Sequence, residues 1–303
     1  MSSDAVQSEN VIPPRSLFDK LGVGLPIALT LLATTFASMS AAELQEAMFW
    51  RSAASQDQAK ATSQWSLAGF KRDRALICET TAIQLNALAK YAPVTLPKPS
   101  DEQNNEVEAH QWLTGQGPPR LKFPDAPEGP ITDLLKAIRE HKTEAEMLSV
   151  AAKVKQKEMN DALDAAEAWN ESTDQVWSPI VDEAKKMIDG FVKQKMSSAG
   201  DGTASASAAH AMKYDLEARR YRAESFFNQQ IGFLYEARVK VSTAVSDKHR
   251  NKSKNFFYAM LAAQVGATIS SLALARKQKS VLWLFASFAG IVSIAVGAVV
   301  YLM

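Results

Sequence analysis

A chain of 303 residues with 34 basic and 33 acidic side chains has a formal charge of only +1, too little basic surplus for wholesale nucleic-acid binding. Its single cysteine, Cys78, rules out an intrachain disulfide and any multi-cysteine metal site. The length allows about two domains, but the apolar residues follow helical stripes rather than gathering into blocks. An all-α fold is predicted: an elongated, membrane-anchored antiparallel coiled coil with three transmembrane helices.

Residues 1–24 carry mixed charge and read as a flexible N-terminal segment. Residues 25–42, Leu25 to Ala42, have no charged side chain and form the first predicted transmembrane helix. This run is only moderately apolar, with Thr30, Thr34, Thr35, Ser38 and Ser40, so a signal peptide cleaved near Ser40 or Ala42 is the alternative. The preceding residues are long and mixed in charge for a signal n-region, which favours an uncleaved anchor.

Residues 43–90 contain no proline and one glycine, and are predicted to be one long stalk helix. Along it alanine returns every seventh residue at Ala47, Ala54, Ala61, Ala68, Ala75, Ala82 and Ala89. Alanine placed for helix propensity alone would fall at any phase. One phase held this long indicates a helix wound on a partner with the two backbones close together. Met48, Ser55, Thr62, Gly69, Leu76 and Ile83 lie beside the column, so the seam is thin. Trp50, Trp65 and Phe70 are expected against neighbouring helices or the membrane interface. Cys78 reads as a small residue near the coil interface, with an interchain disulfide as the sharper alternative.

Residues 91–130 hold eight of the twelve prolines and are read as a Pro-rich linker. Ser100 and Gln103, at capping-box spacing, predict a short helix through Val107 and Trp112. Residues 131–196 are predicted to form the middle coiled-coil helices. A long one spans about Ile131 to Trp177, its stripe interrupted by His141 and Lys155, read as polar core positions that set register, with a partly exposed His141 as the alternative, and Ser178–Pro179 starts a shorter one to about Met196. The acidic residues Asp161, Asp164, Glu167 and Glu171 read as a solvated face. Residues 197–210, small and polar, are predicted to be a flexible linker.

The returning stalk helix covers residues 211–255 and carries its own small column, Ala211, Ala218, Ser225 and Gly232, placed to face the alanines of the first. Transmembrane helices are predicted over residues 256–275 and 281–303, joined as a hairpin by Arg276, Lys277, Gln278, Lys279 and Ser280, with Trp283 and Tyr301 near the ends of the last. Ala262, Gly266 and Ser270, and Gly290, Ser293 and Gly297, are spaced for close helix contact. Gln264, the one amide in these runs, is expected to bond another helix. Arg276, Lys277 and Lys279 are the topology signal: kept in the cytoplasm, they place residues 43–255 outside. Lys248, Arg250, Lys252 and Lys254 argue the reverse but weigh less beside a long translocated region.

Three stretches together carry a resemblance: Ala59 to Trp65 with Ser63, Gln64 and Trp65; Leu216, Glu217, Ala218, Arg219 and Arg220; and Leu272, Ala273 and Leu274 before the basic loop and Trp283. The chain resembles an uncharacterised bacterial family of membrane proteins, known only by a domain-of-unknown-function label. That family tends to continue after Trp65 with an aromatic, glutamine-rich stretch, where this chain has Ser66, Leu67, Ala68 and Gly69. The resemblance implies an N-terminal membrane helix, a coiled-coil region and a C-terminal hairpin in the bacterial inner membrane. It brings no activity and no functional residues.

His110, His141, His210 and His249 are far apart in sequence, and the glycines form neither a P-loop nor a dinucleotide fingerprint. The expectation is a protein without catalytic, cofactor or metal residues and without a small-molecule substrate. It would be a scaffold or assembly protein partnered by the lipid bilayer and by further copies or other membrane proteins. The alternative is an auxiliary or sensory subunit of a transport or signalling complex.

Overall fold

The computed structural model describes residues 17–90, 94–96, 98–99, 104–115, 129–197, 202–275 and 281–302. Among them the chain is all-α, with seven helices and no strand: α1 (Leu17–Leu88), α2 (Asn104–Leu113), α3 (Pro130–Arg139), α4 (Glu144–Ala151), α5 (Gln156–Ser197), α6 (Gly202–Ala275) and α7 (Leu282–Leu302). The chain divides into two compact units, one of Met1–Trp50 with Val245–Met303 and one of Arg51–Ala244. We call them the membrane unit and the coil unit. Helices α1 and α6 contribute to both.

In the membrane unit, α1, α6 and α7 each contain a stretch long and apolar enough to cross a bilayer, which fits a multi-pass membrane protein. Four of the five hydroxyls that make the first run less apolar, all but Ser40, are satisfied within their own helix. Thr30 donates to the Pro26 carbonyl at 2.8 Å, Thr34 to Thr30 at 3.0 Å, Thr35 to Leu31 at 2.9 Å and Ser38 to Thr34 at 3.1 Å. A hydroxyl bonded one turn back can face lipid without leaving an unmet donor. The unit's core joins Phe36 of α1, Phe256 and Ala259 of α6 and Val300 of α7, with the Phe36 and Phe256 rings stacked at 6.2 Å. The Arg276, Lys277 and Lys279 loop lies outside the described residues.

The coil unit has two apolar cores. One gathers Ala61 of α1, Ile131, Leu134 and Ile138 of α3, Met159 and Leu163 of α5, and Ile231, Leu234 and Val241 of α6. The other gathers Trp112 and Leu113 of α2, Trp177, Ile180, Val181 and Ile188 of α5, and Leu216 and Phe227 of α6. Helix α2 occupies the stretch where a short helix is expected, though Ser100 and Gln103 lie outside the described residues, as does most of the Pro-rich linker. Arg219 donates at 2.8 Å to the Trp112 carbonyl at the end of α2, which also accepts the Gly115 N–H at 3.3 Å.

The region 131–196 departs from its sequence reading. The predicted helix from Ile131 to Trp177 is three helices. Helix α3 ends in a left-handed turn at His141 (φ 53), where the His141 and Lys142 N–H groups donate back to the Ile138 and Ala137 carbonyls at 3.1 and 3.0 Å. Thr143 then caps α4 in a reciprocal box with Glu146. His141 and Lys155 are therefore exposed loop residues, not core positions, and Lys155 pairs with Glu158 on the surface. Pro179 starts no helix but sits inside α5. An internal proline costs one backbone hydrogen bond; here it is flanked by the buried Trp177, Ile180 and Val181, whose packing holds the helix through it. The predicted linker at 197–210 is also mostly helical. Helix α6 begins at Gly202, and Ala206, Ala208 and Ala209 are buried. Alanine and serine there are small enough to pack as well as to be flexible, and composition alone does not separate the two.

Candidate functional site

The residue columns singled out by spacing meet specific neighbours. In the coil unit Ala54, Ala61, Ala68, Ala75, Ala82 and Ala89 are all buried. Opposite them Ala211, Ala218, Ser225 and Gly232 of α6 are buried as well. Ser225 donates its hydroxyl to the Ala68 carbonyl at 2.7 Å, a bond that needs the two backbones close and so needs alanine on α1. Gly232 lies under Trp65: a β-carbon there would sit 3.2 Å from the indole. That indole donates to Glu236 at 2.7 Å and packs edge-on to Phe233 at 4.8 Å. Phe70 is exposed, with Arg74 over its ring.

In the membrane unit the same interhelical chemistry recurs. Ala47 is buried and accepts from Ser246 at 2.8 Å. One heptad back, Ser40 and Ser253 donate reciprocally to each other's carbonyls at 2.9 Å. A step of seven on α1 is matched by a step of seven in reverse on α6, which defines an antiparallel pair. Gly266, Ser270, Gly290, Ser293 and Gly297 are buried, while Ala262 is half-buried; the fully covered line on α6 instead runs through Ala259, Ala263, Gly266 and Ser270. Leu29 of α1 lies against both Gly266 and Gly290, and Phe36 against Gly297. Ser293 donates to the Ala259 carbonyl at 2.7 Å, whereas Ser270 bonds within its own helix. Gln264 is exposed.

Because Phe36 occupies the space a side chain at Gly297 would need, Gly297→Leu is expected to force α7 away from α1. Overpacking of this kind costs about 1–3 kcal/mol. Disulfide trapping between Leu32→Cys and Val296→Cys, in a Cys78→Ala background, should fall in the Gly297→Leu chain; undiminished trapping would refute the contact.

A second column, four residues before each alanine, is not apparent from the sequence stripes. On α1 it reads Glu43, Trp50, Asp57, Gln64, Lys71, Cys78 and Leu85. In the coil unit Asp57 takes both Nε and Nη2 of Arg238, the Nε bond at 2.8 Å. Lys71 pairs with Glu224, and the Cys78 thiol donates to Glu217 at 3.9 Å. In the membrane unit Glu43 meets His249 Nδ1 at 2.6 Å. Glu217, Glu224 and Arg238 are themselves multiples of seven apart. Read with Asp57 and Lys71, that spacing was the missed signal: opposite charges in matching columns of two helices that run in opposite directions.

Burial, then the Glu217 carboxylate, raises the Cys78 thiol above its ordinary range. A protonated, covered thiol is a poor nucleophile. Cys78 in the folded protein should therefore react with maleimide at least tenfold more slowly than in denaturant; equal rates would show that the seam opens around it. Among the described residues, no group of three His, Cys, Asp or Glu side chains could hold a metal ion. Asp161, Asp164, Glu167 and Glu171 are exposed, and Glu167 accepts the Tyr235 hydroxyl. Comparison with protein-family models, curated proteins and solved structures finds no match to this chain.

Proposed function

We propose that the protein is a non-catalytic scaffold of the bacterial inner membrane that uses its coil region to hold further copies of itself or other membrane proteins. The supporting observation is the outward side of α1 in the coil unit. Leu67, Phe70, Leu76, Ile77, Ile83 and Leu88 are all exposed, with Leu76 and Ile77 more than 60% so, while the alanine column on the other side is buried. Soluble surfaces seldom carry so many large apolar groups along one helix unless a partner covers them. The membrane-family resemblance adds a location to this reading, and the positive charge of Arg276, Lys277 and Lys279 supports a coil region outside the cytoplasm.

Leu76→Cys or Ile83→Cys, in a Cys78→Ala background in native membranes, should give a discrete cross-linked species. Monomers alone, together with purification that brings no stoichiometric companion, would refute the proposal. Gln264 favours a second reading, an auxiliary or sensory subunit of a transport or signalling complex. An exposed amide in a membrane helix is poorly solvated by lipid and favours a hydrogen-bonding neighbour in the bilayer. Altered flux or signalling output from Gln264→Leu, with cross-linking at Leu76→Cys intact, would favour that reading.

A further inference from the structure

The cations of α6 fall into two groups. In the coil unit they have acidic partners: Lys213 with Asp189, Arg219 with Asp215, Arg220 with Asp174 and Glu224, Arg222 with Glu79, Arg238 with Asp57 and Lys240 with Glu144. In the membrane unit Lys248, Arg250, Lys252 and Lys254 have no acidic partner among the described residues. Lys248, Arg250 and Lys254 are exposed and Lys252 is half-buried.

Their placement is equally specific. Ser246, His249, Ser253 and Phe256 form the buried or half-buried strip of α6, three of them bonded to Ala47, Glu43 and Ser40 of α1. Helical spacing puts Lys248 and Lys252 along one flank of that strip and Arg250 and Lys254 along the other. The apolar run begins at once beyond them, with Phe257 and Tyr258 exposed as an interfacial pair, and Leu44, next to the His249 contact on α1, is exposed as well. Close by in sequence, Asp247 and Glu46 are exposed and have no ion pair among the described residues; Glu43 is held by His249. Four cations against two acids leave a positive collar at the edge of the apolar run, where a bilayer crossed by that run would present its phosphates.

We infer that this collar is a binding surface for anionic phospholipid headgroups of the adjoining leaflet. Charge selects the partner: a phosphate carrying net negative charge, as in phosphatidylglycerol, gains from each cation, whereas a zwitterionic headgroup gains little. Long lysine and arginine stems can lie on the apolar rim while their charged ends reach the phosphates. The inference needs only the membrane helices and stands apart from whether the outer face of α1 holds a partner.

The test uses the full chain reconstituted in vesicles of phosphatidylcholine with phosphatidylglycerol, each lipid radiolabelled in turn, with a photoreactive phenylalanine replacing the exposed Asn251 between the two flanks. Phosphatidylglycerol should be captured about fivefold or more over its share, an effect of roughly the size expected from one cation near an anionic surface. Combined Lys248→Gln, Arg250→Gln, Lys252→Gln and Lys254→Gln should bring capture down to that share. Keeping the charge with Lys→Arg at the three lysines should preserve the preference. If the glutamine chain fails to insert, raising salt on the parent protein serves instead, and the preference should collapse as the Debye length shortens. Capture in proportion to composition, or a preference indifferent to both the glutamines and salt, overturns the inference. So does capture at this position of a protein alone in native membranes.

Discussion

Ala68→Leu should open the α1–α6 seam and do more damage than any other single enlargement along it. Ala68 is 1% exposed, and its carbonyl accepts the buried Ser225 hydroxyl at 2.7 Å. A leucine cannot be accommodated there by rotation, because close backbone approach is what the position supplies. Overpacking contributes about 1–3 kcal/mol, and leaving a buried hydroxyl unmet adds about 1–3 kcal/mol. Together these give a loss of roughly 2–6 kcal/mol. Ala59→Leu is the control, since Ala59 lies on the same helix but faces outward and is exposed. Chemical denaturation of the full chain in detergent, followed by helical circular dichroism, should show the first variant unfolding well below the parent and the second close to it. Equal midpoints for the two would refute the close-packed seam.

The long helices, the apolar runs and the alanine phase could be read in the sequence because each is a repeat carried by many residues, so no single exception hides it. What could not be read depends on single residues acting against their usual habit. His141 takes a left-handed conformation that ends α3, and the only advance notice was the spacing of Thr143 and Glu146. Pro179 sits where chain-local chemistry says a helix should start, yet tertiary packing around Trp177 and Ile180 overrides it. The Ser197 to Ala209 tract looked polar and flexible because alanine and serine say little about burial by themselves. The polar column was hidden for a different reason: Asp57, Lys71 and Cys78 share no residue type, and their common feature appears only when Arg238, Glu224 and Glu217 are set against them in reverse order.

That reversal makes Arg238 the position whose loss should cost most. Asp57 is 6% exposed and receives two nitrogens of the Arg238 guanidinium, which also lies 5.1 Å from the centre of the Tyr235 ring. Burial and the Glu167 carboxylate raise Tyr235 well above its ordinary range, so the ring stays neutral beneath the cation. Arg238→Ala leaves a covered carboxylate without a counter-charge and is expected to destabilise the coil unit by about 3–5 kcal/mol. Asp57→Leu with Arg238→Leu removes the desolvation cost of both partners and should recover most of that loss. If stability were the whole role, the double variant would be indistinguishable from the parent. The alternating charges also penalise a slipped register, since moving α6 by one heptad sets Ile231 against Lys71 in one direction and against Asp57 in the other, in place of their charged partners. The double variant should therefore retain helicity but show extra disulfide products when Ala54→Cys, in a Cys78→Ala background, is paired with cysteines one heptad apart on α6. A single product in that background would show that the small-residue column alone fixes the alignment.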